Sequence, residues 1–265
     1  VKEDEQDIPA ALVALLGTPT AEMVPRALDM LLFGARGARR KALLQIVAHG
    51  SVRDASEIVR RLAHCPPDLA RELFGILGHV APSQRLEVAF DLLSHPDPDF
   101  QLELLQVIQN APAGLRLARG LQTLMASEHE SVRIRATFVL GHVGGAKAIP
   151  MLVEHTKRKA AELSLDEAEA IGNALGKASP QDAFPILIEW AEYKSGLRSI
   201  LSKIRKDDTG NRSTAVIAAY GLIHCHHAAS GEAIRGLLSR WTSDADVTHR
   251  LQRALDQLEK GRHHG

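Results

Sequence analysis

Aromatic side chains are scarce in this chain, at 4% of its 265 residues. Leu and Ala supply most of the apolar content instead, as suits close helix–helix packing. No apolar run approaches the roughly 18–20 residues that a membrane span needs, so no span is expected. Net charge is lacking too, with 32 basic and 32 acidic side chains. The balance is uneven, −4 over residues 1–130 and +4 over residues 131–265. A dipole of that size can orient a partner, but it is too weak for general nucleic-acid binding. The opening VKEDEQD is acidic and lacks the basic-then-apolar order of a signal peptide. No GxSxG, Walker, Rossmann or HExxH pattern occurs anywhere.

What the chain has is a repeated unit, clearest at Ser131 to Val153, SVRIRATFVLGHVGGAKAIPMLV. Val132, Ala136, Val139, Leu140 and Val143 fall at helical spacing and form one apolar stripe, with Arg133 and Arg135 off it. Gly141 is small where a neighbouring helix comes close. Gly144 and Gly145 suit the positive φ that ends a helix, and Pro150 suits the first turn of the next. A helical hairpin with one sticky face cannot bury that face alone.

Aligning Gly141 with other positions gives a register of Gly17, Ala48, Gly78, Gln109, Gly141, Gly176, Gly221 and Asp256. The position before each is Leu16, Val47, Leu77, Ile108, Leu140, Leu175, Tyr220 and Leu255. Five before each stand Leu12, Leu43, Leu73, Leu104, Ala136, Ile171, Val216 and Leu251. Two apolar columns eight deep mark a repeat protein. Pro25, Pro150 and Pro185 keep the same register.

The unit length, the VRIRA-to-LGHVG helix and the following AIPML resemble HEAT-like repeats of the short type first associated with bilin lyases. The resemblance covers nearly the whole chain and is best at 131–153. It implies an all-α, right-handed α-solenoid of about seven helix pairs, one domain over 1–265. Such repeats serve many unrelated tasks, so the resemblance speaks for fold rather than activity. Cys65 and Cys225 lie about five units apart, too far for a disulfide in an array whose repeats touch only neighbours. Together with the acidic start, this leads to an expectation of cytoplasmic localisation.

The frame breaks once, at about 194–212. There GLRSILSKIRKDDTGN places Leu197, Ile200, Leu201 and Ile204 on one helical stripe, flanked by Arg198, Lys203, Arg205 and Lys206. The apolar side is expected to pack on the array and the four cations to contact a partner.

Thirteen histidines invite a metal reading, and HCHH at 224–227 concentrates three of them. A zinc site needs a second ligand pair at motif spacing, and none is visible. His129-Glu130 is similar to the His-Glu pairs of deoxyhypusine hydroxylase, a di-iron HEAT-repeat enzyme, but that family presents several pairs where this chain has one. HEAT-like DNA glycosylases would need an aromatic-lined basic groove, whereas Trp190 and Trp241 fall on first helices. No cofactor is expected.

Second helices line the concave side of HEAT-type solenoids, so two further columns face the groove. Three before each register position stand Ala14, Gln45, Gly75, Gln106, Phe138, Asn173, Ala218 and Arg253, and one after it Thr18, His49, His79, Asn110, His142, Lys177, Leu222 and Gln257. A polar ladder of Gln45, His49, His79, Gln106, Asn110, His142 and Asn173 there suits a peptide or helix ligand. The same side chains can also cap last-turn carbonyls. The expectation is a scaffold or adaptor that binds a protein or peptide in the groove. The alternative is a HEAT-like repeat enzyme or enzyme subunit.

Overall fold

The computed structural model describes residues 21–111, 115–192 and 209–263. Among them the chain is all-helical, without a strand, and 14 α-helices occur. They are α1 (Val24–Leu32), α2 (Gly37–Gly50), α3 (Ser56–Leu62), α4 (Pro67–Val80), α5 (Pro82–Asp91), α6 (Pro98–Ile108) and α7 (Leu115–Leu124). There follow α8 (Glu130–Val143), α9 (Ala148–Lys159), α10 (Leu165–Ala178), α11 (Pro180–Glu192), α12 (Thr209–Ile223), α13 (Ser230–Arg240) and α14 (Ala245–His263). No described helix is long and apolar enough to cross a membrane. The expected opening helix at Ile8–Leu16 and most of the basic insert lie outside the described residues.

The chain divides into two compact units, Val1–Val107 and Ile108–Gly265. In the first, α1 packs on α2 and α3, α2 and α3 on α4, and α4 on α5. Phe74 and Phe100 meet edge-on at 5.5 Å, with Arg85 over Phe74 and His95 edge-on to Phe100. The acids of HPDPD do what a helix N-terminus asks. Asp97 accepts from the Asp99 and Phe100 backbone N–H groups at the head of α6 and pairs with Arg71.

In the second unit, α8, α10, α12 and α14 pack in succession as one layer. The first helices α7, α9, α11 and α13 each lie against the second helix of their own pair. The layer forms because the two apolar columns point inward. Each of the fourteen described column positions, from Leu43 and Val47 to Leu251 and Leu255, is buried. Gly141 sits against α10 so closely that a Cβ there would come within 2.4 Å of the Ala174 Cα. Gly176 meets the Gly221 carbonyl oxygen of α12 in the same way, also at 2.4 Å.

Three details differ from the sequence reading. Gly145 takes a positive φ of 54°, but Gly144 stays helical at −82°. Gly144 is small because a Cβ would press on the Leu140 carbonyl oxygen and on Ala148. α11 begins at Pro180, so Pro185 lies inside the helix rather than at its head. α12 begins at Thr209, taking residues expected in the insert loop.

Candidate functional site

The ladder residues occupy the surface of the second helices. In the first unit Gln45 and His49 on α2, His79 on α4 and Gln106 on α6 are all exposed. His49 donates from Nδ1 to the Gln45 carbonyl at 2.9 Å, closing a last-turn bond. In the second unit Asn110 and His142 are exposed, and Asn173 is half-buried. The cations Arg198, Lys203, Arg205 and Lys206 lie outside the described residues.

In the second unit the columns meet across helices. Phe138 on α8 is half-exposed and stacks on His142, one turn later, at 6.3 Å between centroids and 5° between planes. The Arg135 guanidinium lies over the same ring at 5.3 Å, and Lys177 of α10 reaches it at 5.2 Å. Arg135 is held in place by donating Nη2–H to the Gln109 side-chain oxygen at 2.7 Å. A ring approached by two cations gains from its electron-rich face and presents a flat apolar surface beside positive charge.

Further along α10, Asn173 donates to the Glu169 carbonyl at 2.9 Å and accepts from His224 Nε2 at 2.8 Å. Burial holds the His224 imidazole down to about 4, and the positive charges of Lys177 and His226 reinforce that. His224 is therefore neutral near pH 7, with its proton on Nε2. The other members of HCHH are engaged singly. Cys225 is a free thiol pushed up to about 11 by burial, His226 sits at a positive φ of 48°, and His227 packs on Phe184 at 4.0 Å. No group of three or more His, Cys, Asp or Glu converges among the described residues.

The face is closed at α12. Ala218 and Leu222, which the columns place there, are fully buried. Arg250 and Arg253 reach from α14 to Glu169 on α10 at 2.9 and 3.0 Å, and Arg250 also holds Asp166 at 2.8 Å. Arg253 lies over the Tyr220 ring at 5.9 Å. The Tyr220 hydroxyl is pushed up to about 12, by burial and then by the neighbouring Glu169 carboxylate. The open part of the face is thus the α8–α10 stretch.

A second feature is a cavity of about 480 Å³ lined by Met125, Arg133, His155, Arg158, Lys159 and Glu167, among others. Its lining includes an ion pair between half-buried Arg133 and buried Glu167, Nε to Oε1 at 2.5 Å. Glu167 Oε2 accepts from the Ser164 N–H, and Ser164 Oγ accepts from the Glu167 N–H, a reciprocal cap on α10. Both carboxylate oxygens are occupied, so Glu167 acts as a structural anchor rather than a proton carrier. Burial holds His155 below its ordinary value; Glu167 opposes this, and Lys159 and Arg133 add to it.

Compared with protein-family models, curated proteins and solved structures, the chain matches none. Geometry and chemistry alone carry the functional reading. The ladder residues did not include Arg135, Phe138 or Lys177, the three side chains that come together at the face. The signal for them was present: Phe138 and Lys177 stand in the two groove columns, and one of only six Phe residues occupies a column whose other members are small or polar.

Proposed function

We propose that the chain is a non-catalytic scaffold or adaptor, a HEAT-like α-solenoid that binds a protein or peptide along the faces of its second helices. The observation that carries this reading is the α8–α10 stretch. A half-exposed Phe138 lies there among Arg135, His142 and Lys177, on a layer whose apolar columns are fully spent inside. Interfaces concentrate energy in a few aromatic and Arg anchors surrounded by polar groups, and this stretch has that composition. A rigid two-layer support under the anchor lowers the ordering cost of binding.

The test places a photo-crosslinking residue at His142, on the second-helix face, or at exposed Glu189 on first helix α11. The reading expects protein crosslinks in the native host from position 142 and few from position 189. Equal crosslinking from both, or none from 142, refutes it.

A further inference from the structure

We propose that the α8–α10 face takes an acidic peptide segment, whose carboxylates pair with Arg135 and Lys177 while an apolar or aromatic side chain lies on Phe138. This deepens the peptide-binding reading above and rests on it.

The argument is one of unmatched charge. On the second helices of this unit, Arg133, Arg212, Arg250 and Arg253 are each paired with a carboxylate. Arg135 is the exception among the described arginines of these helices, bonded instead to the neutral side chain of Gln109. Lys177 has no carboxylate partner among the described residues either; its neighbour is the ring of Phe138. Two cations from adjacent helices thus converge on one ring, and neither is paired with an acid among the described residues.

Helix ends do not explain the pair. Lys177 stands in the last turn of α10, where a cation suits the dipole, but Arg135 stands in the first half of α8. The three acids of α10 are taken by other arginines: Asp166 by Arg250, Glu167 by Arg133, and Glu169 by Arg250 and Arg253. Burial is what chiefly disfavours the His224 proton, and the positive charges of Lys177 and His226 add to it.

A polyanionic nucleic acid would also meet cations and a ring. The peptide is favoured because the paired cations are few and the chain has zero net charge, whereas nucleic-acid grooves track a backbone with many. A short acidic segment needs only two or three charges placed around an anchor, which is what the face offers.

The test uses the full chain as bait for a random-peptide phage library. Wild-type protein is compared with an Arg135→Glu/Lys177→Glu variant, and folding is checked by far-UV circular dichroism and melting. The expected enriched peptides carry Asp or Glu around an aromatic or large apolar residue. A synthetic peptide of the leading sequence should bind with salt-dependent affinity, and the double reversal should weaken it by about tenfold or more. Phe138→Leu should weaken it less, since apolar bulk remains. Enriched peptides without acids, or acidic peptides that bind the folded double variant equally well, overturn the acidic class and leave the peptide-binding reading standing. No enrichment at all overturns both. Oligothymidylate binding tighter than the leading peptide, and lost in the double variant, overturns the proposal in favour of nucleic acid.

Discussion

Replacing Gly141 by Ala tests the packing on which the face depends. In an exposed helix this change is favourable, because Ala loses less backbone freedom than Gly, by about 1 kcal/mol. At Gly141 the new Cβ would meet the Ala174 Cα at 2.4 Å, its Cβ at 2.6 Å and its carbonyl oxygen at 2.8 Å. These include two backbone atoms of α10, which cannot swing aside as the tip of a side chain would. Relief requires α8 and α10 to separate, and dispersion contacts are lost along the shared seam. Overpacking against backbone falls at the upper end of the usual range, about 3 kcal/mol, so the net loss is about 2 kcal/mol. Gly236 is the control. It lies on α13 in the same unit, is exposed, and has nothing within 4 Å of a new Cβ. Gly236→Ala should stabilise by about 0.5–1 kcal/mol. Urea denaturation followed by circular dichroism reads both signs in one assay. A Gly141→Ala protein as stable as wild type would refute close approach as the reason for glycine in this column.

Three further outcomes follow from named side chains. Glu167→Gln should cost about 1–3 kcal/mol in urea melts, because it removes the charge that answers half-buried Arg133. Burial alone would raise the Glu167 carboxyl, yet Arg133 and the Ser164 N–H hold it below its ordinary value. Its stabilisation is therefore present above the unfolded value and lost as pH falls through the folded one, so the gap between wild type and Glu167→Gln should narrow in acid; a constant gap contradicts this. His224 has a value depressed by burial to about 4, so the unfolded chain takes a proton that the folded chain refuses as pH falls from the ordinary 6.5 to that point. Stability should fall over that window by about 2 kcal/mol after allowance for solvent screening, and His224→Gln should remove the slope. Asp97→Ala should cost about 1–2 kcal/mol by uncapping α6 and leaving Arg71 only its longer pairs with Asp99 and Glu103, whereas Asp97→Asn should recover part of that; equal losses argue against the cap.

The inward direction of the two apolar columns was legible in the sequence, and lateral pairing was not. Leu140, Leu175 and Tyr220 stand before a small residue in successive repeats, and all three are buried. One column of side chains must serve the same seam in each pair, so periodicity carries the information. The start of α11 was misplaced because Pro185 was matched to Pro150. At Pro185 the chain forgoes one helical bond on an exposed position, which water can repair, so proline did not mark the helix start. The reach of Arg250 to Asp166 and Glu169 has no period at all. It joins α14 to α10 past an intervening helix, and no spacing rule within one repeat encodes such a bond. The same holds for Lys177 over Phe138: the columns place both on the face, but only packing brings them within 5.2 Å.

Column identity also decides which part of the face is left open. At α12 the two groove columns hold Ala218 and Leu222, and both are fully buried. An exposed Leu costs about 2 kcal/mol relative to burial, so such a position favours covering by the chain itself. At α8 the same columns hold Phe138 and His142, and at α10 they hold Asn173 and Lys177, none of them among the buried residues. Polar tips keep their water, so nothing drives the chain to cover them. A half-exposed ring among them retains apolar area that a partner can still remove from water. The repeat frame thus sets where the face lies, and the residues that depart from the apolar pattern set where it can be occupied. Replacing His142 by Leu should accordingly raise the tendency of the chain to self-associate. Sedimentation at increasing concentration would detect it, and a His142→Leu protein that stays as dispersed as wild type would count against the argument.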